Sequence, residues 1–132
     1  MSKWRILIID DEPDIVVLLS KGFEAHGYEV LKAANGWDGL ALARMEKPDL
    51  ILLDYLMPKM DGPTTLASLK VMKETRSIPV VVLTGVSGKE HVTEALRSGA
   101  SDYIVKPFDL NALLRRISDV LRFGHGRVHV TV

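Results

Sequence analysis

The chain has 132 residues, enough for one domain around a single core. Apolar residues make up 47% and charged residues 26%, the balance of an ordinary globular domain. Seventeen basic residues offset seventeen acidic ones, so no global field favours nucleic acid or an anionic membrane, and the lack of cysteine excludes disulfides, thiolate metal sites and cysteine nucleophiles.

The chain opens "MSKWRILIIDDE". Its aliphatic run, Ile6 to Ile9, is too short for a signal peptide or a membrane span and predicts a first strand. Pro13 suits the first turn of a helix, and Gly27 lies just past that helix's end. "YEVLKA", from Tyr28, predicts a second strand. Asn35 can cap a second helix, which stops before Pro48. "LILL", Leu50 to Leu53, predicts a third strand, and Asp61 with Pro63 can open a third helix. "VVVL", Val80 to Leu83, predicts a fourth strand. Ser87-Gly88-Lys89-Glu90 has capping-box spacing for a fourth helix, which Gly99 can terminate. "SDYIV", up to Val105, predicts a fifth strand. Asp109 can cap a last helix with Leu110, Leu113, Leu114, Ile117 and Leu121 on one face. Residues 124–132, "GHGRVHVTV", fall outside this repeat and read as a tail or linker stub. The alternation from Arg127 to Val132 also suits an extra edge strand pairing with another chain.

The order βαβαβαβαβα implies an α/β fold with a parallel sheet, helices on both faces and right-handed crossovers. Strands 1, 3 and 4 are the most apolar and belong in the centre, which leaves 2 and 5 for the edges. The order 2-1-3-4-5 satisfies this, among others. In such a doubly wound sheet ligands bind beyond the carboxyl ends of the strands, at the switch point between strands 1 and 3.

Each strand near that point ends in a polar residue. Strand 1 gives Asp10 and Asp11, strand 3 gives Asp54, strand 4 gives Thr84 and strand 5 gives Lys106. Adjacent strands lie about 4.8 Å apart, so carboxylates from strands 1 and 3 become neighbours, and Lys106 is roughly 10 Å from Asp54, within reach of a long side chain. Clustered carboxylates repel by about 4 kcal/mol at 4 Å. Oxygen ligands without thiolate or imidazole suit a hard cation, Mg²⁺ above all. One carboxylate can then attack phosphorus and form an acyl phosphate, with Lys106 and Mg²⁺ balancing charge and the Thr84 hydroxyl on a phosphoryl oxygen. Taken singly, each residue also has a plain structural use as a cap, a turn or a solvated side chain. The Lys106-Pro107 bond can be cis or trans.

"ILIIDDEP", "LILLDYLMPKMDG", "VVVLTG" and "GASDYIVKPF" together resemble the receiver domain of two-component response regulators, the CheY-like fold. The motifs span Ile6 to Phe108, and the last helix extends the match to about Phe123. The resemblance implies a five-stranded flavodoxin-like sheet of order 2-1-3-4-5 with five helices and a receiver domain over residues 1–123, and the absence of cysteine fits a cytoplasmic location. It implies Asp54 as the phosphoacceptor, served by a sensor histidine kinase or phosphotransfer protein. Asp10 and Asp11 would hold Mg²⁺ together with Asp54 and the backbone carbonyl of Leu56. Thr84 would be the switch hydroxyl, Lys106 the phosphate-contacting lysine and Tyr103 the switch aromatic, drawn inward on phosphorylation.

The readout surface is expected on the fourth helix, fifth strand and fifth helix. Its candidates are Lys89, His91, Arg97, Asp102, Arg116, Asp119 and Arg122. It would meet a downstream effector, an output domain or a second copy of the chain, with no direct contact to nucleic acid or membrane. Leu56 and Val86, both apolar, are expected beside the phosphoryl group, where they would hinder the attacking water. Such a domain is a signalling module that catalyses only its own phosphorylation and dephosphorylation.

Two alternatives carry weight. One is an interaction module without phosphorylation, which the intact acid, hydroxyl and lysine set opposes. The other is a small-molecule phosphotransferase, which would want a second acid where Leu56 stands and room for a cap domain. His26, His91, His125 and His129 lack metal or catalytic spacing with the acids. Trp4 and Trp37 are expected to pack partly buried, and Met45, Met57, Met60 and Met72 to serve packing or loops.

Overall fold

The computed structural model describes residues 3–124. Both expectations for the segment after Gly124 lie outside the described residues. The elements are β1 (Arg5–Ile9), α1 (Pro13–Ala25), β2 (Glu29–Ala33), α2 (Gly36–Glu46), β3 (Leu50–Leu53), α3 (Gly62–Val71), β4 (Val80–Thr84), α4 (Lys89–Arg97), β5 (Asp102–Val105) and α5 (Leu110–Phe123). All four strand pairs are parallel, in the order β2-β1-β3-β4-β5. The three aliphatic runs occupy the centre and the more polar strands the edges, as their composition requires.

The alternation of side chains along each strand divides the core into two layers. Ile6, Ile8, Leu50, Leu52, Val81, Leu83 and Ile104 pack with Leu19 and Phe23 of α1 and with Leu113, Leu114, Ile117 and Val120 of α5. Leu7, Ile9, Ile51, Leu53, Val80, Val82 and Tyr103 pack with Ala43 of α2, Leu66 and Leu69 of α3 and Ala95 of α4. A strand covered on both faces needs continuous apolar residues, which is why these runs lack polar interruptions.

The helix ends follow the expected chemistry in most places. The side chains of Asn35, Asp61 and Asp109 accept from the backbone N–H groups of Asp38, Thr64 and Ala112. Lys47 adopts a left-handed φ of 46° and ends α2 ahead of Pro48. Gly99, at φ 108°, follows α4. The Lys106-Pro107 bond is cis.

Three local expectations are corrected. The capping box at Ser87 does not form, because Gly88 at φ 116° holds the N-cap position of α4 and no side chain bonds the helix end. Trp4 and Trp37 are exposed, at 48% and 61%. Trp4 stands just before β1 and Trp37 in the first turn of α2, and neither is covered by a second layer. Tyr28 lies outside β2 and packs edge-on against Phe23.

The start of α3 is pressed against the end of β3. Gly62 N donates to Tyr55 O at 3.1 Å, and a Cβ at Gly62 would collide with Tyr55 Cα and Cδ1. Glycine is needed here for close approach rather than for an unusual dihedral. Asp61 fixes this helix start by accepting from Thr64 N at 2.8 Å. The hydrogen bonds from Thr64 hold the Asp61 carboxyl below its ordinary value of 3.8. A depressed folded-state pKa adds stability that is present above the unfolded value and disappears as pH falls through the folded one. Asp61→Ala is therefore expected to cost about 1 kcal/mol at neutral pH, a normal cap loss. Urea denaturation should show the gap to wild type narrowing as pH drops below 3.8.

Candidate functional site

Strand register builds the site. Ile9 pairs with both Ala33 and Leu53, so the residues after Ile9 and Leu53 leave the sheet at one level. Asp10 N donates to Ala33 O and Asp54 N to Ile9 O, each at 3.0 Å, which carries the ladder one residue further and fixes both backbones. Lys106 N donates to Thr84 O at 2.8 Å on the other side of the sheet. Ile9 and Leu53 face the α2–α4 layer, so the next residues, Asp10 and Asp54, face the α1–α5 side. Ile104 faces the α1–α5 layer, and Lys106, two residues on, shares that side.

The result is a tight ionic cluster. Lys106 Nζ lies 3.0 Å from Asp10 Oδ2, 2.6 Å from Glu12 Oε1 and 3.3 Å from Asp54 Oδ2. The Asp10 and Asp54 side chains are each 3% exposed and that of Glu12 is 56% exposed, so the cluster runs from the sheet edge out to solvent. Asp10 Oδ1 also accepts from Glu12 N, and Asp54 Oδ1 from Leu56 N. A cleft of about 720 Å³ opens over these groups, walled by Ile15, Leu18, Leu56, Pro107 and Phe108.

Burial pushes the Asp10 carboxyl up, and nearby Asp54 adds to this against the opposing bonds from Glu12 N and Lys106. Burial alone would lower Lys106, but hydrogen bonds to Glu12 and Asp10 and the charges of Asp10 and Asp54 outweigh it, and its pKa is raised. The lysine is a fixed cation and the acids compete for it.

Carboxylate oxygens of Asp10, Glu12 and Asp54 lie within 4.8 Å of one another, a group able to hold a metal ion. All donors are oxygens, which suits a hard divalent cation. Asp11 lines the same cleft and is exposed. Glu12 was not among the residues expected from sequence. Its signal was present in "DDEP": where the chain stays extended, residues two apart share a side, and Glu12 holds an extended φ of −92° and ψ of 106°.

Thr84 and Tyr103 belong to the other side of the sheet. Thr84 is fully buried, and its Oγ1 accepts from Val86 N at 3.3 Å. Tyr103 is 7% exposed and donates its hydroxyl to Val86 O at 2.7 Å. Burial raises the Tyr103 pKa, and the charge of Asp54 raises it further. Of the readout candidates, Asp102 is buried and accepts from Arg116 Nε at 2.9 Å and from Arg116 Nη2, and its Oδ1 also accepts from Tyr103 N at 2.8 Å. Lys89, His91, Arg97 and Arg122 are exposed on α4 and α5. Leu56 is 63% exposed at the lip of the cleft.

Comparison with known proteins agrees with this architecture. Residues 6–118 match the response regulator receiver domain. Protein PilH of Pseudomonas aeruginosa is 44% identical over 117 residues, covering 89% of this chain and 97% of that protein. The DNA-binding dual master transcriptional regulator RpaA of Synechocystis sp. is 44% identical over 118 residues, and the chain spans 49% of its length. Response regulator PleD of Caulobacter vibrioides is also 44% identical, with 26% of its length spanned. The CheY-like receiver domain protein of Methanospirillum hungatei superposes with a TM-score of 0.86 at 33% identity, over 92% of this chain and 95% of that one. The receiver domain of sensor histidine kinase PA1611 from Pseudomonas aeruginosa, whose structure has magnesium coordinated in its active-site cleft, gives a TM-score of 0.84 at 25% identity over 92% of this chain and 99% of that one. With its sheet order, its acidic strand ends and nearly its whole length accounted for, the chain belongs to the response regulator receiver domain family, the phosphorylation-controlled switch module of two-component signalling.

Proposed function

We propose that Asp54 is the phosphoacceptor of this receiver domain and that Asp10, Asp11, Thr84, Lys106 and Tyr103 support its reaction and readout. The observation that carries the reading is the convergence of Lys106 Nζ on Asp10, Glu12 and Asp54 from two other strand ends. An Asp54 carboxylate oxygen attacks the phosphorus of a phosphohistidine on a sensor kinase or phosphotransfer protein. The new O–P bond forms as the P–N bond breaks, and the bond pair returns to the imidazole nitrogen of the donor. Hydrolysis reverses the modification, so the domain catalyses both its own phosphorylation and its own dephosphorylation.

Charge sets the requirements. The four carboxylates of Asp10, Asp11, Glu12 and Asp54 and one ammonium leave the cleft with a formal charge of about −3, and carboxylates as close as those of Asp10, Glu12 and Asp54 repel by about 3–4 kcal/mol per pair at an effective dielectric of 20. A phosphoryl donor, itself anionic, would be turned away. Asp10, Asp11, Asp54 and the Leu56 carbonyl would hold Mg²⁺, which would supply the positive charge that lets phosphoryl oxygens approach. The carboxylate oxygens of Asp10, Glu12 and Asp54, within 4.8 Å of one another, are an oxygen-only group that suits such an ion. Lys106 then moves its hydrogen bonds from carboxylate to phosphoryl oxygen, and the Thr84 hydroxyl turns from Val86 N toward the same group. Glu12 steadies the lysine in the resting protein.

The α4–β5–α5 face carries the signal to an effector, an output domain or a second copy of the chain. Cytoplasmic residence goes with this chemistry. Among the described residues no helix is long and apolar enough to cross a membrane.

Three measurements test the reading. Incubation with acetyl phosphate and Mg²⁺ should add the mass of one phosphoryl group to wild type and none to Asp54→Ala, and chelation of Mg²⁺ should abolish the gain. A gain in Asp54→Ala, or none in wild type, sinks the assignment. Leu56→Asn, which places an amide at the cleft lip, should shorten the half-life of the phosphoprotein by about tenfold, equal to about 1.4 kcal/mol of barrier. An unchanged half-life refutes the shielding role of Leu56. Lys106→Met should destabilise the metal-free protein by about 1–3 kcal/mol at neutral pH, less than for a fully enclosed pair because Glu12 is solvated. Asp10 sets the pH dependence. Its raised folded-state pKa means its ionised form costs stability, a cost absent below 3.8 and complete above the folded value. Denaturation curves for Lys106→Met should therefore approach wild type as the pH falls through that window.

A further inference from the structure

Asp54 and Tyr55 are neighbours in the chain but face opposite sides of the sheet. Asp54 opens onto the ionic cleft. Tyr55 is 7% exposed and packs within the α2–α4 layer. There its ring meets Tyr103 edge to face, with centroids 5.8 Å apart and planes at 89°. This geometry sets the positive edge of one ring against the negative face of the other.

Tyr55 has little freedom to leave. Gly62 closes against its Cα and Cδ1, and the Asp61 cap fixes the helix start that carries Gly62. Burial, with Tyr103, Glu94 and Asp61 nearby, pushes the Tyr55 hydroxyl up to about 12, so the ring stays neutral in place. On its far side Tyr103 holds the Val86 carbonyl, while Thr84 holds the Val86 N–H. One residue of the β4–α4 loop is therefore gripped by both.

We propose that Tyr55 is a positioning residue for Tyr103: its clamped ring holds Tyr103 in the buried, Val86-bonded placement and links the backbone of Asp54 to the α4 side of the sheet. The inference rests on the reading of Tyr103 as the switch aromatic. It adds a route from the acid to the aromatic that does not pass through Thr84. Without the Tyr55 ring, one wall of the Tyr103 site is missing, and outward placements of Tyr103 become more populated.

The chain has three tyrosines, so uniform 3-fluorotyrosine labelling gives three fluorine resonances, assignable by substitution. In resting protein, Tyr55→Leu should shift the Tyr103 resonance toward its solvent-exposed value, and Tyr55→Phe should leave it in place. Beryllofluoride with Mg²⁺, a phosphoryl mimic, should bind Tyr55→Leu about tenfold more weakly than wild type. In a Tyr103→Leu background the same substitution should change binding by less than twofold. A Tyr103 resonance unmoved by Tyr55→Leu, or an equal loss of binding with and without Tyr103, overturns the proposal. If Tyr55→Leu does not fold, Tyr55→Met fills the volume without an aromatic edge and takes its place. Failure of wild type to bind beryllofluoride would count against the phosphoacceptor reading, whereas the resting-state resonance judges Tyr55 by itself.

Discussion

The Lys106 ammonium, held among the carboxylates of Asp10, Glu12 and Asp54, is the interaction around which the rest of the structure is arranged. Two nearly buried acids side by side would be untenable without it. The lysine must arrive from a strand two places away from Asp54, so the sheet order has to bring β1, β3 and β5 to one rim. The aliphatic runs supply the rigidity. Leu50 to Leu53 and Ile6 to Ile9 are covered on both faces, and acids at their ends inherit positions that solvent-exposed loops would not hold.

Side-chain alternation then separates two jobs. Asp10, Asp54 and Lys106 fall on the α1–α5 side, where the charge is handled. Tyr55 and Tyr103 fall on the α2–α4 side, where hydrophobic packing holds the rings. Val86 is bonded by groups from both Thr84 and Tyr103, so the loop that begins α4 is tied to the end of β4 and to β5. Asp54 and Tyr55 are joined by a single peptide bond at the end of β3, so the two sides meet there. In a close-packed layer of this kind, small displacements favour one discrete arrangement over another instead of fading gradually.

Much of this was legible in the sequence. Continuous apolar runs marked the central strands, and cap residues marked α2, α3 and α5, because those signals act within a few residues. The convergence of Asp10, Asp54 and Lys106 followed from strand order. What escaped prediction depended on finer geometry. Glu12 joined the cluster because the chain stays extended past β1, and the sequence pattern places a helix start there just as readily. The Ser87 cap failed because Gly88 took a left-handed backbone that no side-chain pattern announces. Trp4 and Trp37 proved exposed because no element happens to cover them, which is a tertiary fact. The edge-to-face contact of Tyr55 with Tyr103 required knowing that both rings share one layer.

The pairing of Asp102 with Arg116 has a consequence for listeners at α5. Asp102 accepts from the Tyr103 backbone while it clamps the guanidinium, so helix and strand share one anchor. Coupling between sites is mutual in free energy. A carboxylate that draws this arginine toward itself therefore competes with Asp102, the same side chain that holds the Tyr103 backbone N–H.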